Sequence, residues 1–321
     1  MTSSGHHPLV TVITPAYNVE AYLRETMDSV QAQTWPNLIH LVIENASTDR
    51  TAEILADYEN ARVPVKVVRH PKLLAQIDNW NSSFGALPDG TEWFRVLCAD
   101  DTMTPDSVEK MMSVALSEPG VGVVACKVNY GGLLEPSSWP EDRCVFDGRE
   151  AMKRFFENEG QFRAPHVLIN RECIPADGQF FQNDLEAWDT DAVLRVMHDR
   201  KFGYAHEYLA NTRVHDQSVT ALEVEPLRLE LLSWFLLLER HADFAFSAQE
   251  ARAMKRRYRR HYVRRLLNAR SRSGGDDIWQ EHMRRLEAVG ARPGLLDFLD
   301  AGFDKFLIAL RLRPDWYSYP W

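Results

Sequence analysis

Two adjacent aspartates, Asp100 and Asp101, follow an apolar run that ends at Leu97 and is typical of a buried strand. Open α/β sheets bind their ligands at the carboxyl ends of their strands. Two like charges side by side repel each other, and a hard divalent cation with carboxylate ligands removes that repulsion. The sequence therefore predicts a cation site, with a solvated acidic turn as the alternative. The next helix is predicted to have Thr104 as N-cap and Pro105 at its first position.

A second carboxylate, Asp189, falls near the start of a helix predicted over Leu185 to Arg200, on the same stripe as the apolar residues of that helix. Asp191 is predicted to point to the other side and to pair with Arg195, four residues on. A carboxylate that points inward needs a reason, and a general base that takes a proton from a substrate hydroxyl is one. The alternative for Asp189 is a helix N-terminal carboxylate favoured by the helix dipole.

The elements that must position these carboxylates alternate between strand and helix patterns in the first half of the chain. Continuous apolar runs are typical of a parallel sheet covered on both faces, and the segments between them carry apolar residues at helical spacing. The predicted fold class is therefore α/β, with a doubly wound, mostly parallel sheet. The predicted strands cover residues 9–14, 38–43, 65–68, 93–97 and 121–125.

The second half of the chain is mixed and then helical. A loop is predicted over Gly131 to Pro140, and a strand near Val167 to Ile169. From Glu225 on the pattern is helical, with breaks at residues 271–275 and 292–294. The expected domains are a ligand-binding and catalytic domain over residues 1–222 and a helical C-terminal region over residues 223–321.

Composition and charge exclude several classes of protein. With 45% hydrophobic residues in 321, the chain can bury a substantial core, and its net charge of −9 argues against a nucleic-acid binder. The four cysteines form no C-x-x-C pair, which favours reduced thiols in the cytoplasm over a disulfide scaffold or a zinc site. The short polar segment Met1 to Pro8 is not a signal peptide, and Leu231 to Leu238 is too short to span a bilayer.

The turns after the first two predicted strands suit a nucleotide. No G-x-G-x-x-G motif follows the first strand and the chain contains no P-loop motif, which argues against a dinucleotide site and a P-loop enzyme. The turns instead offer the aromatic ring of Tyr17, the amide of Asn45, small hydroxyls and open backbone, which suit a base and a ribose. The alternative is that both turns are ordinary helix N-caps.

Taken in order along the chain, these segments resemble the motifs of family 2 glycosyltransferases. The likeness runs from about Leu9 to His215. Val12 to Asn18 is similar to the family motif V-I-x-P-x-Y-N, and Glu44 to Asp49 is similar to D-D-G-S-T-D. Asn79 to Asn81 is similar to a motif variant that the family has before its fourth strand. Cys98 to Pro105 is similar to the metal-binding motif D-x-D-D-x-x-x-P, and Trp188 to Arg195 is similar to E-D-x-x-L-x-x-R. The resemblance implies a GT-A fold, a nucleotide-sugar donor, and Mn²⁺ or Mg²⁺ on its two phosphates.

The resemblance also implies roles for single residues. Asp189 is the expected catalytic base, Asp100 the expected metal ligand, and His215 a second contact to the metal or diphosphate, with a structural loop histidine as the alternative. A single displacement assisted by a carboxylate base inverts the anomeric carbon, so an inverting enzyme is expected. The nucleotide is expected to contact Thr14, Pro15, Ala16, Tyr17, Glu44, Asn45, Asn81, Ala99 and Asp100, with Asp101, Trp188, Asp191 and His166 in supporting roles.

Three positions depart from the family pattern. Cys98, Asn45 and Trp188 each stand where the family has a carboxylate. An asparagine carbonyl still accepts from the N3–H of uracil or thymine, so a UDP- or dTDP-linked donor is expected. The departures leave open a second hypothesis, a non-catalytic sugar-nucleotide-binding or scaffolding protein. The third hypothesis is a sugar-phosphate nucleotidyltransferase. Such an enzyme would need a Gly-rich basic loop after the first strand, and residues 14–18 do not form a loop of this kind.

The partners expected from the family are a nucleoside-diphosphate sugar and a carbohydrate or glycoconjugate acceptor, in the synthesis of a bacterial surface glycan. The basic stretch Met254 to Arg272 places Met254, Tyr258, Tyr262 and Leu266 on one face. Such a helix either lies on the inner face of the membrane, as a peripheral contact, or packs on the protein with a solvated basic face. The aromatic end, residues 316–321, is expected to dock on the body of the protein or on a second subunit, as in a homodimer.

Overall fold

The computed structural model describes residues 7–271 and 274–312. The chain divides into two compact units. The first comprises Met1–Asn183 and Trp188–Val214, and the second comprises Asp184–Ala187 and His215–Trp321. The domain division between residues 222 and 223 stays a prediction. Residues 316–321 lie outside the described residues, and so does the prediction made for them.

The first unit holds all the strands in the described part of the chain. These strands are β1 (Leu9–Ala16), β2 (Leu38–Glu44), β3 (Val65–Arg69), β4 (Thr91–Val96), β5 (Thr102–Met103), β6 (Val121–Tyr130), β7 (Leu133–Leu134), β8 (Val145–Phe146), β9 (Leu168–Asn170) and β10 (Lys201–Thr212). Its helices are α1 (Leu23–Gln31), α2 (Thr51–Ala56), α3 (Gln76–Gly85), α4 (Ser107–Ala115), α5 (Gly148–Glu157) and α6 (Trp188–Val196), with 3-10 turns at Ala164–His166 and Arg171–Cys173.

The strands form one sheet in the order β3-β2-β1-β4-β9-β6-β10-β5, with β7 beside β6 and β8 beside β10. Strands β3, β2, β1 and β4 are parallel, and so are β6 and β10. Strand β9 runs antiparallel between β4 and β6. The predicted α/β class with a mostly parallel sheet is confirmed. Since the carboxyl ends of β1, β2 and β4 meet at one edge, the turns that follow them meet there too.

Helix α4 begins at Ser107, so the prediction that Thr104 is its N-cap is wrong. The residues after the two aspartates form β5, and the backbone N–H of Thr104 donates to Leu209 O of β10 at 3.3 Å. The chain therefore stays with the sheet for three further residues. The side chain of Gln33 supplies the cap instead, because its Oε1 accepts from the N–H of Val108 at 3.0 Å.

Strand β10 and helix α5 were not predicted, and the predicted loop over residues 131–140 contains the short strand β7. Strand β10 lacks a continuous apolar run, because Gly203, His206 and Glu207 interrupt it. Its register against β6 also shifts between Ala205 and Tyr208. A strand of this kind is defined by its neighbours in the sheet more than by its own sequence.

The second unit is helical, as predicted, with helix ends at both indicated breaks and a further break at Phe246 and Ser247 that was not predicted. A π-helical turn, Thr220–Val224, is followed by α7 (Glu225–Leu227), α8 (Leu229–Ala245), α9 (Ala248–Arg270), α10 (Gly275–Ala288) and α11 (Leu295–Ala309). Within the ranges that the structure describes, no helix is both long enough and apolar enough to cross a membrane.

The face of α9 considered for membrane contact is buried. Tyr262 and Leu266 are each 1% exposed. The ring of Tyr262 stacks on Phe235 of α8 with centroids 4.8 Å apart, and its hydroxyl lies 2.8 Å from His282 Nδ1 of α10. Helix α9 therefore uses this face for packing, and the interpretation of this face as a membrane contact is wrong.

Because this face is packed, substitutions of two neighbouring leucines should change the free energy of unfolding by very different amounts. Leu266→Ala should lower the free energy of unfolding by about 2–5 kcal/mol, because it leaves a cavity in the helical unit. Leu267→Ala, at a side chain that is 37% exposed, should cost less than about 1 kcal/mol. Urea denaturation of both variants measures the difference. Equal losses would contradict the packing described for α9.

Candidate active site

The turns that follow β1 and β2 are hydrogen-bonded to each other. Asn18 Oδ1 accepts from the N–H of Thr48 at 2.8 Å, and the N–H of Asn18 donates to Ser47 Oγ at 3.1 Å. Asn18 adopts a φ of +49°, which asparagine tolerates better than most residues. The two turns therefore form one ledge at the carboxyl edge of the sheet. Tyr17 lies on this ledge with 42% of its surface exposed.

Glu44 and Asn45 are buried at the end of β2. Glu44 Oε1 accepts from the N–H of Ser47 at 2.6 Å. The amide of Asn45 bonds twice to the backbone of Leu74, donating to its carbonyl at 3.0 Å and accepting from its N–H at 2.9 Å. Asn45 thus fixes the segment that follows β3, and its carbonyl keeps one further lone pair for a base.

Thr14 does not present its hydroxyl at the sheet edge. Its Oγ1 lies 2.9 Å from His40 Nε2, and both residues are fully buried. Burial lowers the pKa of His40 to about 3, so the imidazole is neutral. At the end of β1, Pro15 is half-buried and Ala16 is fully buried, and the Ala16 carbonyl accepts from the N–H of Asn45 at 2.9 Å.

Asn81 is also engaged within the protein. Its Nδ2 donates to the carbonyl of Phe181 at 2.8 Å, and its Oδ1 accepts from the N–H of Phe181 at 2.9 Å. Trp188 packs edge-on against Trp80 and Phe181, with ring centroids 4.8 and 4.9 Å apart. Through these contacts, Asn81 and Trp188 stabilise the segment that precedes α6.

The acidic turn after β4 gathers three possible metal ligands. A ligand atom from each of Cys98, Asp100 and Asp101 lies within 4.8 Å of the others. Burial, and then the charge of Asp100, raise the pKa of Asp101 to about 7. Burial and the neighbouring carboxylates raise the pKa of the Cys98 thiol well above its usual value, so the thiol is protonated. Carboxylate oxygens under mutual repulsion fit Mn²⁺ or Mg²⁺, and a protonated thiol is a poor ligand for either ion.

Arg213 and Thr26 hold this turn. The backbone N–H of Arg213 donates to Asp101 Oδ1 at 2.9 Å, and its Nε donates to the carbonyl of Asp100 at 3.1 Å. The hydroxyl of Thr26 lies 2.8 Å from the carbonyls of both Ala99 and Asp101. With Asp101 bonded to the backbone, Asp100 is the carboxylate that fits a direct metal contact.

His166 supports the turn from inside the sheet. Its Nε2 lies 2.6 Å from Thr212 Oγ1 and 3.5 Å from Asp101 Oδ2. Burial, followed by nearby arginine charges, lowers the pKa of His166 to about 3, so the imidazole is neutral. His166 is 1% exposed and lies behind the acidic turn that follows β4. His215 is the first residue of the second unit after Val214. Its contact with a metal stays a prediction.

Asp189 stands at the start of α6 against an apolar wall. Val96, Ile169 and Phe181 line the small cavity on which it borders. Burial raises the pKa of its carboxyl group, and hydrogen bonds from Thr190, at 2.6 Å to the backbone N–H, partly oppose this shift. The same cavity is lined by Val96 of β4, two residues before Cys98, so Asp189 lies near the start of the acidic turn.

Asp191 pairs with Arg195, as predicted, at 2.8 Å from Nε to Oδ2. The prediction that Asp191 points outward is wrong, because this residue is fully buried. Arg195 also donates to the carbonyl of Phe180, so the ion pair ties α6 to the segment before it. Burial of Asp191 is tolerated because the arginine compensates its charge. Asp189 instead borders the small apolar cavity at the start of α6.

Arg163 is a site residue that the sequence did not reveal. Its Nε donates to Glu135 Oε2 at 3.0 Å, and its guanidinium lies over the ring of Tyr130, 4.6 Å from the centroid. Its charge lowers the pKa of Asp189 and opposes the effect of burial. No local motif marks these contacts. Arg213, by contrast, lies two residues before His215, at the end of the stretch that resembles the family.

An open pocket of about 380 Å³ lies beside Asp100. Asn211 joins its neighbours across three strands, accepting from Asn129 Nδ2 at 3.2 Å and donating to Thr102 Oγ1 at 3.3 Å. Asn129 Oδ1 is buried without a hydrogen-bond partner. The lining is therefore rich in uncharged polar groups, and Asp100 and Arg213 supply its charges. Such a surface suits a ligand with many hydroxyl groups.

Comparison with known proteins gives the family of the chain. Residues 11–174, just over half of the chain, match the family model described as Glycosyl transferase family 2. An uncharacterised glycosyltransferase of Rickettsia typhi is 40% identical over 229 residues, which cover 68% of each protein. TuaG of Bacillus subtilis, named as a teichuronic acid biosynthesis glycosyltransferase, is 41% identical over 140 residues, which cover 43% of this chain and 52% of TuaG.

An uncharacterised glycosyltransferase of Haemophilus influenzae is 33% identical over 106 residues, which cover 33% of this chain and 32% of that relative. The chain thus spans from about a third to about two thirds of the length of these three relatives.

Two solved structures share the fold. S. aureus TarS, residues 1–349, in complex with UDP-GlcNAc has a TM-score of 0.62 and 13% identity, covering 94% of this chain and 92% of that one. The mannosyltransferase PcManGT of Pyrobaculum calidifontis, in complex with GDP-Man and Mn²⁺, has a TM-score of 0.58 and 16% identity, covering 96% and 81%. These likenesses confirm the GT-A-type fold. The family match over residues 11–174 and the Rickettsia relative show that the chain belongs to glycosyltransferase family 2.

Proposed function

We propose that this protein is an inverting, metal-dependent enzyme that moves a sugar from a UDP- or dTDP-linked donor to a hydroxyl of a carbohydrate or glycoconjugate acceptor. The observation that carries the proposal is the geometry at the carboxyl end of β4, where ligand atoms of Cys98, Asp100 and Asp101 lie within 4.8 Å of one another and Asp189 borders a cavity lined by Val96 of the same strand. Group transfer from a nucleoside diphosphate needs one carboxylate for a cation and another for a proton, and Asp100 and Asp189 are suited to these two tasks.

Asp100 would hold Mn²⁺ or Mg²⁺, while Arg213 and Thr26 keep its turn in place. A divalent cation, when bound there, stabilises the negative charge that develops on the departing nucleoside diphosphate. TarS binds UDP-GlcNAc and PcManGT binds GDP-Man with Mn²⁺, which supports the same class of donor and a metal for this chain. The proposed binding site of the base and ribose is the ledge that carries Tyr17, formed by the turns after β1 and β2.

Asp189 takes the proton of the acceptor hydroxyl. As this proton moves to the carboxylate, the acceptor oxygen forms a bond to the anomeric carbon, and the bond from that carbon to the diphosphate breaks with its electron pair. One displacement of this kind inverts the anomeric centre. Burial against the apolar wall raises the pKa of Asp189, and hydrogen bonds from Thr190 and then the charge of Arg163 partly oppose this shift, so the ionised carboxylate is a stronger base than an exposed aspartate.

The pocket beside Asp100 is the proposed acceptor site. Its amide and hydroxyl groups from Asn129, Asn211 and Thr102 match the hydroxyls of a saccharide. The name of TuaG, which refers to teichuronic acid biosynthesis, supports a bacterial surface glycan or glycoconjugate as the product. We place the reaction in the cytoplasm.

The second hypothesis, a non-catalytic sugar-nucleotide-binding or scaffolding protein, is favoured by one observation. The Cys98 thiol stays protonated and adds no charge where the family has a carboxylate. A donor screen separates the two hypotheses. The chain is incubated with UDP-, dTDP- and GDP-linked sugars with and without Mn²⁺, and the released nucleoside diphosphate is measured. An enzyme should release nucleoside diphosphate from at least one donor, and only when Mn²⁺ is present. Binding of donors without release of nucleoside diphosphate would favour the scaffolding protein.

Activity should fall at acid pH because Asp189 must be ionised to act as a base. Burial raises its pKa above the ordinary value of 3.8, so the active form is present above the raised pKa and is lost as the pH falls through it. The acid limb of the kcat profile should therefore lie above the ordinary aspartate range and should move in Asp189→Glu. Circular dichroism at each pH excludes unfolding. A flat profile in the folded protein would contradict the assignment.

A further inference from the structure

Helix α11 exposes a continuous apolar face. Its members recur at spacings of three and four residues, which places them on one side of a helix. This α11 apolar face consists of Leu296, Leu299, Phe303, Phe306 and Leu310, which are 79%, 61%, 59%, 57% and 51% exposed. Five large apolar side chains, each more than half exposed, form one contiguous patch on this side of the helix. Such a patch indicates an interaction surface.

The carboxylates of α11 explain why this face is turned outward. Asp297 lies 2.9 Å from Arg259 Nε, and Asp304 lies 3.4 Å from Arg264 Nε. Between them, Asp300 lies 3.3 Å from Arg260 Nε. With two longer pairs, Arg256 to Asp300 at 3.7 Å and Arg260 to Asp304 at 3.6 Å, five ion pairs join α11 to α9, whereas a surface helix usually packs through its apolar side. The arrangement leaves the α11 apolar face available.

The exposed charges next to this face are basic. On α11 and the turn up to Leu312, the charged residues classed as exposed are Lys305 and Arg311, and all three aspartates of α11 are paired with arginines of α9. The chain as a whole carries a net charge of −9, so this local excess of positive charge is unusual for it. Basic side chains that border an apolar stripe are the pattern of a helix that lies on an anionic membrane.

The sequence that follows favours the same partner. Residues 313–321 read Arg-Pro-Asp-Trp-Tyr-Ser-Tyr-Pro-Trp, and tryptophan and tyrosine are enriched at the level of lipid headgroups. A second copy of the chain fits less well. Two α11 faces in contact would bring Lys305 and Arg311 of both copies together, without a carboxylate of α11 to neutralise them.

We propose that the α11 apolar face binds the surface of an anionic lipid bilayer as a peripheral contact. Leucine and phenylalanine side chains enter the boundary between headgroups and acyl chains, while Lys305 and Arg311 contact anionic headgroups. The contact is independent of the catalytic residues, because Asp100 and Asp189 belong to the first unit and α11 to the second.

Sedimentation with vesicles tests the proposal on the full chain. Vesicles of phosphatidylcholine and phosphatidylglycerol, mixed about two to one, are compared with vesicles of phosphatidylcholine alone. The chain should bind the anionic vesicles at least about tenfold more tightly, and binding should weaken as salt rises. The triple variant Leu299→Gln, Phe303→Gln and Phe306→Gln should lower that binding by about a hundredfold or more, because it removes the apolar anchor while keeping good helix formers.

Two controls separate the contributions. Lys305→Glu with Arg311→Glu should lower binding to the anionic vesicles and should remove most of its dependence on salt. Leu116→Gln changes a leucine of the first unit that is 53% exposed, and it should leave vesicle binding unchanged. Release of nucleoside diphosphate without vesicles should be the same in the triple variant and the unaltered chain. A failure of catalysis alone would then count against the proposed function, and a failure of vesicle binding alone against the membrane contact.

The proposal is overturned if the chain binds neither type of vesicle, or if the triple variant binds as the unaltered chain does. Light scattering supplies a third outcome. A particle of two chains that becomes a single chain in the triple variant, without vesicle binding, would assign the α11 apolar face to a second copy and overturn the membrane contact.

Discussion

Asp189→Asn is expected to lower the rate of sugar transfer by about 10²–10⁴-fold, because it removes the group that accepts the proton of the acceptor hydroxyl. Nucleotide binding should change by less than about twofold, since the lost interaction belongs to the chemical step. The exchange keeps the size of the side chain, and an amide still accepts from Thr190. Initial rates at saturating donor, with calorimetric titration of the nucleotide, measure both quantities.

Asp191→Asn, two residues further along α6, is the matched control. Its carboxylate is buried in the pair with Arg195 and holds α6 to the preceding segment. This variant should lose about 3 kcal/mol of stability while the protein that remains folded keeps most of its activity. If the two variants lose transfer equally at a temperature where both are folded, Asp189 has no special part in the chemistry.

Asp100→Asn is expected to remove the response to the metal. In the unaltered chain, UDP at a hundred times its dissociation constant should add about 2.7 kcal/mol of stability, and Mn²⁺ should lower the UDP concentration needed. The variant loses a negative charge that the cation requires, so Mn²⁺ should no longer strengthen UDP binding, and transfer should fall by at least about a hundredfold. Thermal unfolding with UDP, with and without Mn²⁺, gives the first quantity, and donor turnover gives the second.

Asp89→Asn makes the same chemical change at an exposed turn before β4, at the opposite end of that strand from Asp100. It should respond to UDP and Mn²⁺ as the unaltered chain does. An Asp100→Asn variant that keeps its metal response would mean that the cation binds elsewhere. If Mn²⁺ strengthens UDP binding to the unaltered chain but no donor is turned over with the metal, the scaffolding hypothesis is favoured instead.

Sequence patterns predicted the parallel half of the sheet because its strands are buried on both faces. The run from Leu38 to Glu44 carries apolar residues almost without interruption, which periodicity detects. Strand β10 has no such run. Helix α5 carries a signal that a sequence can show, because Asp147 caps it and its buried residues follow helical spacing, but it comes soon after a long loop that interrupts the alternation of strands and helices.

The two central carboxylates could be chosen from the order of motifs along the chain, whereas the partners of single side chains could not. Asn81 bonds to Phe181, a hundred residues away, and Asn45 to Leu74, twenty-nine away. Neither pair follows from local spacing. The placement of Asp191 failed for a related reason, since a helical wheel assigns one buried side, and here an arginine allowed a carboxylate to be buried as well.

The central claim is that one site contains two carboxylates with different tasks. Calorimetric titration of UDP into Asp100→Asn and Asp189→Asn, each with and without Mn²⁺, tests it most directly. We predict that Mn²⁺ strengthens UDP binding in Asp189→Asn as in the unaltered chain and has no effect on UDP binding in Asp100→Asn. Equal metal dependence in the two variants would contradict this division of roles.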